Sequence, residues 1–220
     1  MPRYVSVLVE GQSEENFISR VLSPYLGTND IYIQPIIIRT RHNTGSRDNR
    51  GGISNYQQVK DHLVRLLKDP QIHLVTTMID YYALPNDFPG YQSVTSSSGI
   101  DRIHFLEQEF SNDINNRRFL PYLQMHEFEA LVFAAHENFH FAFPNQPNKI
   151  RQIRSIVDQF TSPEEIDNDI HTAPSKRLKR IFTTYQKIVH SGLILSRFSV
   201  DTLRSRCPHF NEWLMKIMQQ

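Results

Sequence analysis

Three carboxylates follow short apolar runs at positions that could bring them together in the folded chain. Glu10 comes directly after the run 4–9, Glu14 lies four residues further on, and Asp80 directly follows the run 72–79. If both runs are strands of one parallel sheet, their carboxyl ends lie at the same edge, where open α/β sheets bind ligands. Carboxylate oxygens are ligands that Mg²⁺ and Mn²⁺ prefer, so the pattern predicts a divalent-ion site.

Glu14 also has a purely structural explanation. Acidic residues in the first turn of a helix offset the helix dipole. This explains the presence of Glu14 and Glu15 no less well than metal binding does. Glu10 is harder to explain in this way, because it ends an apolar run just before Gly11. Glu10 is therefore the stronger of the two candidates for a functional role.

A basic segment between the two acidic positions is a candidate phosphate-binding loop. It spans residues 39–50 and contains Arg39, Arg41, Arg47 and Arg50. Its guanidinium groups could follow a nucleic-acid backbone. An ordinary exposed loop explains the same composition equally well.

Lys176 and Arg177 follow Pro174 at the predicted start of a helix. Backbone N–H groups and cationic side chains at a helix N-terminus favour a phosphate, so Lys176 could stabilise developing charge and Arg177 could contact nucleic acid. The alternative is that both are solvated residues on the polar face of an amphipathic helix.

The elements that must position these residues alternate along the first part of the chain. Ser13 is expected to cap the helix after the first strand, and Pro24 is expected to bend or end it. The pattern predicts strands at 4–9, 31–40, 72–79 and 119–125, with helices between and after them. This order predicts an α/β fold in which helices flank a parallel sheet.

Beyond residue 143 the pattern is helical only, with helices predicted near 149–160, 175–191 and 208–218. We therefore expect a core at 1–143 and a helical C-terminal extension at 144–220 that packs on the same domain.

Composition excludes several classes of protein. The 220 residues carry a formal net charge of +1, from 24 basic and 23 acidic side chains, which favours neither a nucleic-acid nor a membrane partner. The single cysteine cannot form an intramolecular disulfide, and the histidines lack the Cys pairs or H-E-x-x-H spacing of zinc sites. With neither a signal peptide nor an apolar run long enough to span a bilayer, we expect a cytoplasmic protein without a membrane partner.

Several ordered motifs resemble a known family. The segment 9–14, VEGQSE, resembles the strand-end motif E-G-x-[ST]-E of Toprim domains, especially those of OLD-family nucleases. The segments TMIDYYALP at 77–85, DFPG at 87–90, PYLQMHEFEAL at 121–131 and APSKR at 173–177 resemble DUF4276, a bacterial Toprim-like domain of unknown function. The resemblance implies a Toprim-like, Rossmann-like parallel sheet with helices on both faces.

By this resemblance, Glu10, Glu14 and Asp80 are expected to bind Mg²⁺ or Mn²⁺, with Lys176 as an electrostatic helper. The implied activity is that of a metal-dependent nuclease or related phosphoryl-transfer enzyme. Whether its substrate is DNA, RNA or a nucleotide stays open.

One position departs from the Toprim pattern. Toprim nucleases carry a D-x-D pair at the end of a later strand, and Tyr82 stands here where the second Asp is expected. A two-metal site therefore needs another ligand, and Asp87 or Glu127 could supply it if the fold brings either residue close.

The resemblance also implies a partner. Related Toprim proteins often act beside an ABC-type or AAA-type ATPase in bacterial anti-phage systems. This sequence has no G-x-x-x-x-G-K-[ST] motif, so such an ATPase is expected to be a separate chain. The alternative is a non-catalytic subunit that keeps the Toprim scaffold for binding or regulation, and Tyr82 favours it.

Overall fold

The protein is described from a computed structural model, which covers residues 2–38, 53–94, 99–167 and 172–220. The arginine-rich segment with Arg39, Arg41, Arg47 and Arg50 lies outside the described residues. Among the described residues, no helix is long and apolar enough to cross a membrane.

A parallel sheet forms the centre of the molecule, as the alternating pattern predicts. Its strands lie in the order β2-β1-β3-β4, and β5 also pairs with β3. All of these pairings are parallel, so the carboxyl ends of β1 and β3 lie at one edge. The strands are β1 (Arg3–Val9), β2 (Ile31–Ile37), β3 (Leu74–Asp80), β4 (Phe119–Leu120) and β5 (Leu123–Gln124).

The predicted strand 119–125 is present as two short strands rather than one. Pro121 lies between β4 and β5 and has no N–H to donate to a ladder, which interrupts the pairing with β3. The chain after β5 then turns through His126, whose φ of 62° is the left-handed conformation that few non-glycine residues adopt.

Helices cover both faces of the sheet. Short 3-10 turns at Tyr81–Ala83, His136–Asn138 and Pro163–Glu165 lie between them. The α-helices are α1 (Gln12–Phe17), α2 (Ser23–Gly27), α3 (Tyr56–Leu67), α4 (Gly99–Ile114), α5 (Glu129–Ala134), α6 (Phe139–Ala142), α7 (Pro147–Val157), α8 (Pro174–Ile181), α9 (Lys187–Leu195), α10 (Val200–Arg206) and α11 (Pro208–Gln219).

The first helical segment differs from its prediction in two ways. It begins at Gln12, and Ser13 is a buried residue inside α1, so the prediction that Ser13 caps the helix is wrong. The chain stays helical past Pro24, but a π-helical turn at Ile18–Leu22 precedes it. Pro24 has no N–H to complete regular α-helical hydrogen bonding, and it occupies an early position of α2, where none is needed.

Alternate residues of the central strands enter two hydrophobic cores. Val7 and Val9 of β1 belong to one core and Leu8 to the other, as the period of two in a strand requires. The Leu8 core is closed by α3 and α4, whereas the Val7 core contains residues of α5, α8, α9 and α11. Both faces of the sheet are therefore buried, which explains why its strands are almost continuously apolar.

The C-terminal helices pack directly on the sheet. Trp213 of α11 donates a hydrogen bond of 2.8 Å to Thr76 of β3, and its ring stacks on Tyr122 with 4.6 Å between centroids. Val7 and Trp213 belong to the same hydrophobic core. The ranges 1–143 and 144–220 thus share one interior.

The single helix predicted at 175–191 is wrong in the structure, because the chain breaks into α8 and α9. Phe182 has extended backbone angles at the end of α8, and its buried ring stacks on Phe143 with 3.9 Å between centroids. Tyr185 is buried in the same core. A continuous helix would move these rings relative to the core, so aromatic burial accounts for the break. As a result, Lys187 begins a new helix beside the end of β3.

Candidate metal and phosphate site

A cavity of about 500 Å³ opens at the carboxyl edge of the sheet, where parallel α/β folds bind ligands. Its volume is in the range of small-molecule sites. Carboxylates and lysines dominate its lining, so it suits a charged ligand rather than an apolar one. The lining residues are Glu10, Ile53, Asp80, Tyr82, Ala83, Glu127, Glu129, Ser175, Lys179 and Lys187.

Glu10 directly follows the carboxyl end of β1 and is largely shielded from water. Burial raises the pKa of this carboxyl to about 7, and the charge of Glu14 adds to the effect while that of Lys187 opposes it. Its Oε2 is buried without a hydrogen-bond partner among the described residues. A buried carboxylate oxygen without a donor is costly unless a proton or a cation satisfies it.

Asp80 is the last residue of β3, and its two carboxylate oxygens have different partners. Its Oδ1 accepts a hydrogen bond of 2.7 Å from the backbone N–H of Phe128, just before α5. Its Oδ2 lies 3.5 Å from Nζ of Lys187. Burial raises the pKa of Asp80 well above its usual range, although the ammonium of Lys187 opposes this effect.

Lys187 contacts three buried carboxylates at once. Besides Asp80, its Nζ lies 3.0 Å from Oε1 of Glu14 and 3.3 Å from Oε2 of Glu129. Burial disfavours the charged ammonium, but these carboxylates outweigh burial and raise the pKa of Lys187 above its usual value. Lys187 is therefore a protonated cation at the centre of the cluster.

A second group of contacts fastens α8 to the cavity. The carboxylate of Glu127 accepts hydrogen bonds from the backbone N–H of Ser175 at 2.7 Å and from its hydroxyl at 2.9 Å. An anion at this position satisfies donors that the first turn of a helix leaves unpaired. Ser175 and Lys179 lie on one face of α8, four residues apart, which brings Lys179 to the cavity wall.

Tyr82 lines the cavity at the position where Toprim nucleases carry a second Asp. Its hydroxyl donates a hydrogen bond to the carboxylate of Asp167, and its ring lies beside that of His126. Burial lowers the pKa of His126 to about 4, so its ring is neutral near pH 7. The 3.3 Å contact between His126 and Asp167 is therefore not an ion pair at that pH.

Four of the predicted acidic residues come together. Glu10, Asp80 and Glu127 line the cavity, and Glu14 joins them through Lys187. Asp87, the other suggested replacement for the second Asp, instead accepts a hydrogen bond from the backbone N–H of Tyr56 at the start of α3.

The two basic residues predicted on α8 lie elsewhere. Lys176 is exposed and is not part of the cavity lining. The Nε of Arg177 donates to the backbone carbonyl of Thr172, and its guanidinium lies over the ring of Phe160.

Sequence reasoning missed Glu129, Lys179 and Lys187. Glu129 looks like a first-turn acid of α5, and both lysines look like solvated helix residues. The spacing of four between Ser175 and Lys179 was a usable signal once Ser175 was placed at the site. Lys187 had no comparable signal, because its position depends on the break between α8 and α9.

A second His and Glu cluster lies between α4 and α11. Potential ligand atoms of His104, Glu107 and His209 lie within 4.8 Å of one another. However, Nε2 of His209 is 3.2 Å from the carbonyl oxygen of Leu123, and Oε1 of Glu107 accepts from the N–H of Leu123 at 2.8 Å. These contacts tie both helices to β5, which is a sufficient structural role.

The residues around the cavity fit a divalent ion better than the His cluster does. Oxygen-only ligands suit Mg²⁺ or Mn²⁺. The buried Oε2 of Glu10 has no hydrogen-bond donor among the described residues, whereas the buried oxygens of Glu14 and Glu129 lie beside the ammonium of Lys187. The fold and site therefore define an α/β protein with an acidic, lysine-containing pocket at the carboxyl edge of a parallel sheet.

Comparison with known proteins agrees with the resemblance read from the motifs. Residues 9–218 match the family described as a domain of unknown function, DUF4276, and the chain belongs to this family. No curated protein matches the chain.

Solved structures similar to the chain include the following two. One is the C-terminal region of the Xanthomonas campestris pv. campestris OLD protein, with 17% identity, a TM-score of 0.42 and 98% of both chains covered. The other is the C-terminal region of the Burkholderia pseudomallei OLD protein, with 13% identity, a TM-score of 0.44 and 99% of both chains covered.

Proposed function

We propose that this protein is a metal-dependent phosphodiesterase of the Toprim type that cleaves nucleic acid. The observation that carries the proposal is the cavity itself, where buried carboxylates and two lysines meet at the carboxyl edge of the sheet. Carboxylates that hold a divalent ion, next to cations that contact phosphate oxygens, are what phosphodiester hydrolysis requires.

Each group has a distinct role in this proposal. Glu10 and Asp80, with help from Glu14 and Glu129, hold the ion. When bound, the ion neutralises charge on a phosphate oxygen and lowers the pKa of a water. Lys179 is well placed on the cavity wall to contact a non-bridging phosphate oxygen, a role that the sequence alone suggested for Lys176.

Glu127 has a positioning role. Its two hydrogen bonds from Ser175 hold the start of α8 against the cavity, and α8 carries Lys179. The arginine-rich segment 39–50 is part of the proposal as a track for the nucleic-acid backbone.

The proposal includes a cytoplasmic location and a separate ATPase chain as partner, in a phage-defence setting. The support for these three points is the resemblance to OLD-family Toprim domains in the motifs around Glu10 and Asp80. Co-purification of the tagged protein with an ATPase from its own host tests the partner, and recovery of the protein alone would contradict it.

Cleavage assays test the catalytic proposal directly. We expect the purified protein with Mg²⁺ or Mn²⁺ to cleave plasmid, single-stranded DNA or RNA. Glu10→Gln and Asp80→Asn should each lower cleavage by at least about a hundredfold, because loss of a metal ligand removes several kcal/mol of transition-state stabilisation. Glu15→Gln is the matched control, since Glu15 neighbours Glu14 but lies outside the cavity lining.

The competing proposal is a non-catalytic subunit that uses the Toprim scaffold for binding. The hydrogen bond from Tyr82 to Asp167 favours it, because it commits the second position of the D-x-D pattern to a structural contact. If the wild type binds a divalent ion but cleaves none of the three substrates, and Glu10→Gln changes metal affinity alone, the scaffold proposal is the better one.

A further inference from the structure

Lys187 lies where three buried carboxylates converge. Three carboxylates surround its ammonium at 3.0 Å, 3.3 Å and 3.5 Å, and their side chains are only 4%, 2% and 9% exposed. Among the ion pairs of the described residues, Lys187 is the only cation that contacts Glu14, Asp80 or Glu129. Buried carboxylates this close together repel one another unless a cation neutralises them.

The lysine does not contact every acid of the site. No ion pair within the described part of the chain joins Lys187 to Glu10, which faces the cavity with a buried and unpartnered Oε2. Glu14, Asp80 and Glu129 therefore form an inner group that a protein cation contacts, although Asp80 and Glu129 also line the cavity, whereas Glu10 lines it without such a contact.

The loss of the second Asp fits this division. Tyr82 stands in its place and donates to Asp167, so the chain provides one carboxylate fewer than the D-x-D pattern supplies. An ammonium carries one positive charge and three donors, and it needs fewer carboxylates than a divalent ion. A tyrosine at position 82 and a lysine at position 187 are therefore compatible with each other in charge.

We propose that Lys187 is the resident cation of this site and takes the place of a second divalent ion, so that the protein binds one divalent ion, held by Glu10 together with the carboxylates that the lysine orients. This inference rests on the proposed function, since it specifies the metal content of the same cavity. It makes Lys187 a positioning residue that fixes the three inner carboxylates before any metal binds.

The first test is the number of ions bound, measured on the full chain by calorimetric titration with Mn²⁺ and by the electron paramagnetic resonance of free Mn²⁺. We expect one ion per wild-type chain. Lys187→Met keeps the length of the side chain but removes its charge, and it should create room and ligands for a second ion. Lys68→Met is the matched control, because Lys68 is an exposed lysine at the end of α3, and it should bind one ion.

The second test is thermal unfolding in EDTA, which needs no bound metal. Lys187→Met leaves three buried carboxylates without a counterion, so we expect its melting temperature to fall on the order of 10 °C. Mn²⁺ should restore more of this loss than it adds to the wild type. Lys187→Arg keeps the charge and should retain one ion and most of the stability, which keeps the test valid if Lys187→Met folds poorly.

The outcomes separate this inference from the proposed function. Two ions in the wild type would overturn the role of Lys187 and leave the metal-dependent enzyme standing. The role of Lys187 would also be overturned if Lys187→Met bound one ion with unchanged affinity and melted like the wild type in EDTA. A wild type that binds no ion at all would overturn the proposed function, and with it the count of one.

Discussion

The raised pKa of Glu10 makes the stability of the folded chain depend on pH. Its pKa is raised from 4.5 to about 7 because the folded chain shields it from water and places it near Glu14. The folded state therefore holds a proton that the unfolded state releases between these two values. Ionising Glu10 costs folding free energy, so stability from this group is present below pH 4.5 and is lost as the pH rises to 7.

This sign gives a prediction for Glu10→Gln in EDTA. The variant cannot ionise, so it should be more stable than the wild type at pH 8.5, by at most about 3 kcal/mol, and should show little difference at pH 4.5. Urea unfolding at both pH values measures the effect, with Glu15→Gln as control. An equal change at the two pH values would mean that Glu10 is not protonated preferentially in the fold.

The residues that line the cavity differ in how readily they can be identified from the sequence. Acids that directly follow apolar runs can be found from the sequence, because the run and the acid are adjacent. Glu10 and Asp80 were found in this way. Lysines such as Lys187 look like any other helix residue until the fold supplies their carboxylate partners.

At the scale of the element, the position of α8 depends on Glu127. Its carboxylate accepts from the backbone N–H and hydroxyl of Ser175, while Ala173 at the start of α8 provides no side-chain cap. Glu127 lies 48 residues earlier in the chain, so this cap is a tertiary contact rather than a local one.

Removing that cap should loosen α8. In Glu127→Ala the first turn of Pro174–Ile181 loses an acceptor worth about 1–2 kcal/mol, so its amide hydrogens should exchange about 5–30 times faster. Hydrogen exchange followed by mass spectrometry measures this, and Glu165→Ala, which alters an exposed acid, is the control. Unchanged exchange in α8 would show that its own core contacts hold it in place.

On the scale of the whole molecule, one interior spans both predicted parts of the chain. Trp213 belongs to α11, contacts Thr76 in the central strand, and shares a core with Val7 of β1. The division into 1–143 and 144–220 remains a prediction about chain segments, but the contacts of Trp213 join them energetically.

The single tryptophan offers a direct measurement of that coupling. Trp213 fluorescence reports on the C-terminal helices, whereas far-ultraviolet circular dichroism reports on the helices of the whole chain. If both segments unfold together, the two urea transitions should coincide. A fluorescence transition at clearly lower urea would show that residues 144–220 unfold as a separate unit.

Local patterns along the chain were enough to predict the α/β class and the acidic edge of the sheet. Apolar strand runs at 4–9 and 72–79 are local patterns, and parallel pairing then places Glu10 and Asp80 at one edge whatever the details of the helices. Both predictions rest only on periodicity and on which residues are adjacent in the sequence. The predicted fold class is confirmed, and Glu10 and Asp80 both line the cavity.

The cations that complete the site could not be predicted from local patterns. The break after α8 is caused by the burial of Phe182 against Phe139 and Phe143 and of Tyr185 in the same core, and it sets where Lys187 begins α9. Helix periodicity is a short-range property and contains no information about those contacts. The charge balance of the cavity therefore depends on packing between segments that are far apart in the chain, and only the folded molecule brings them together.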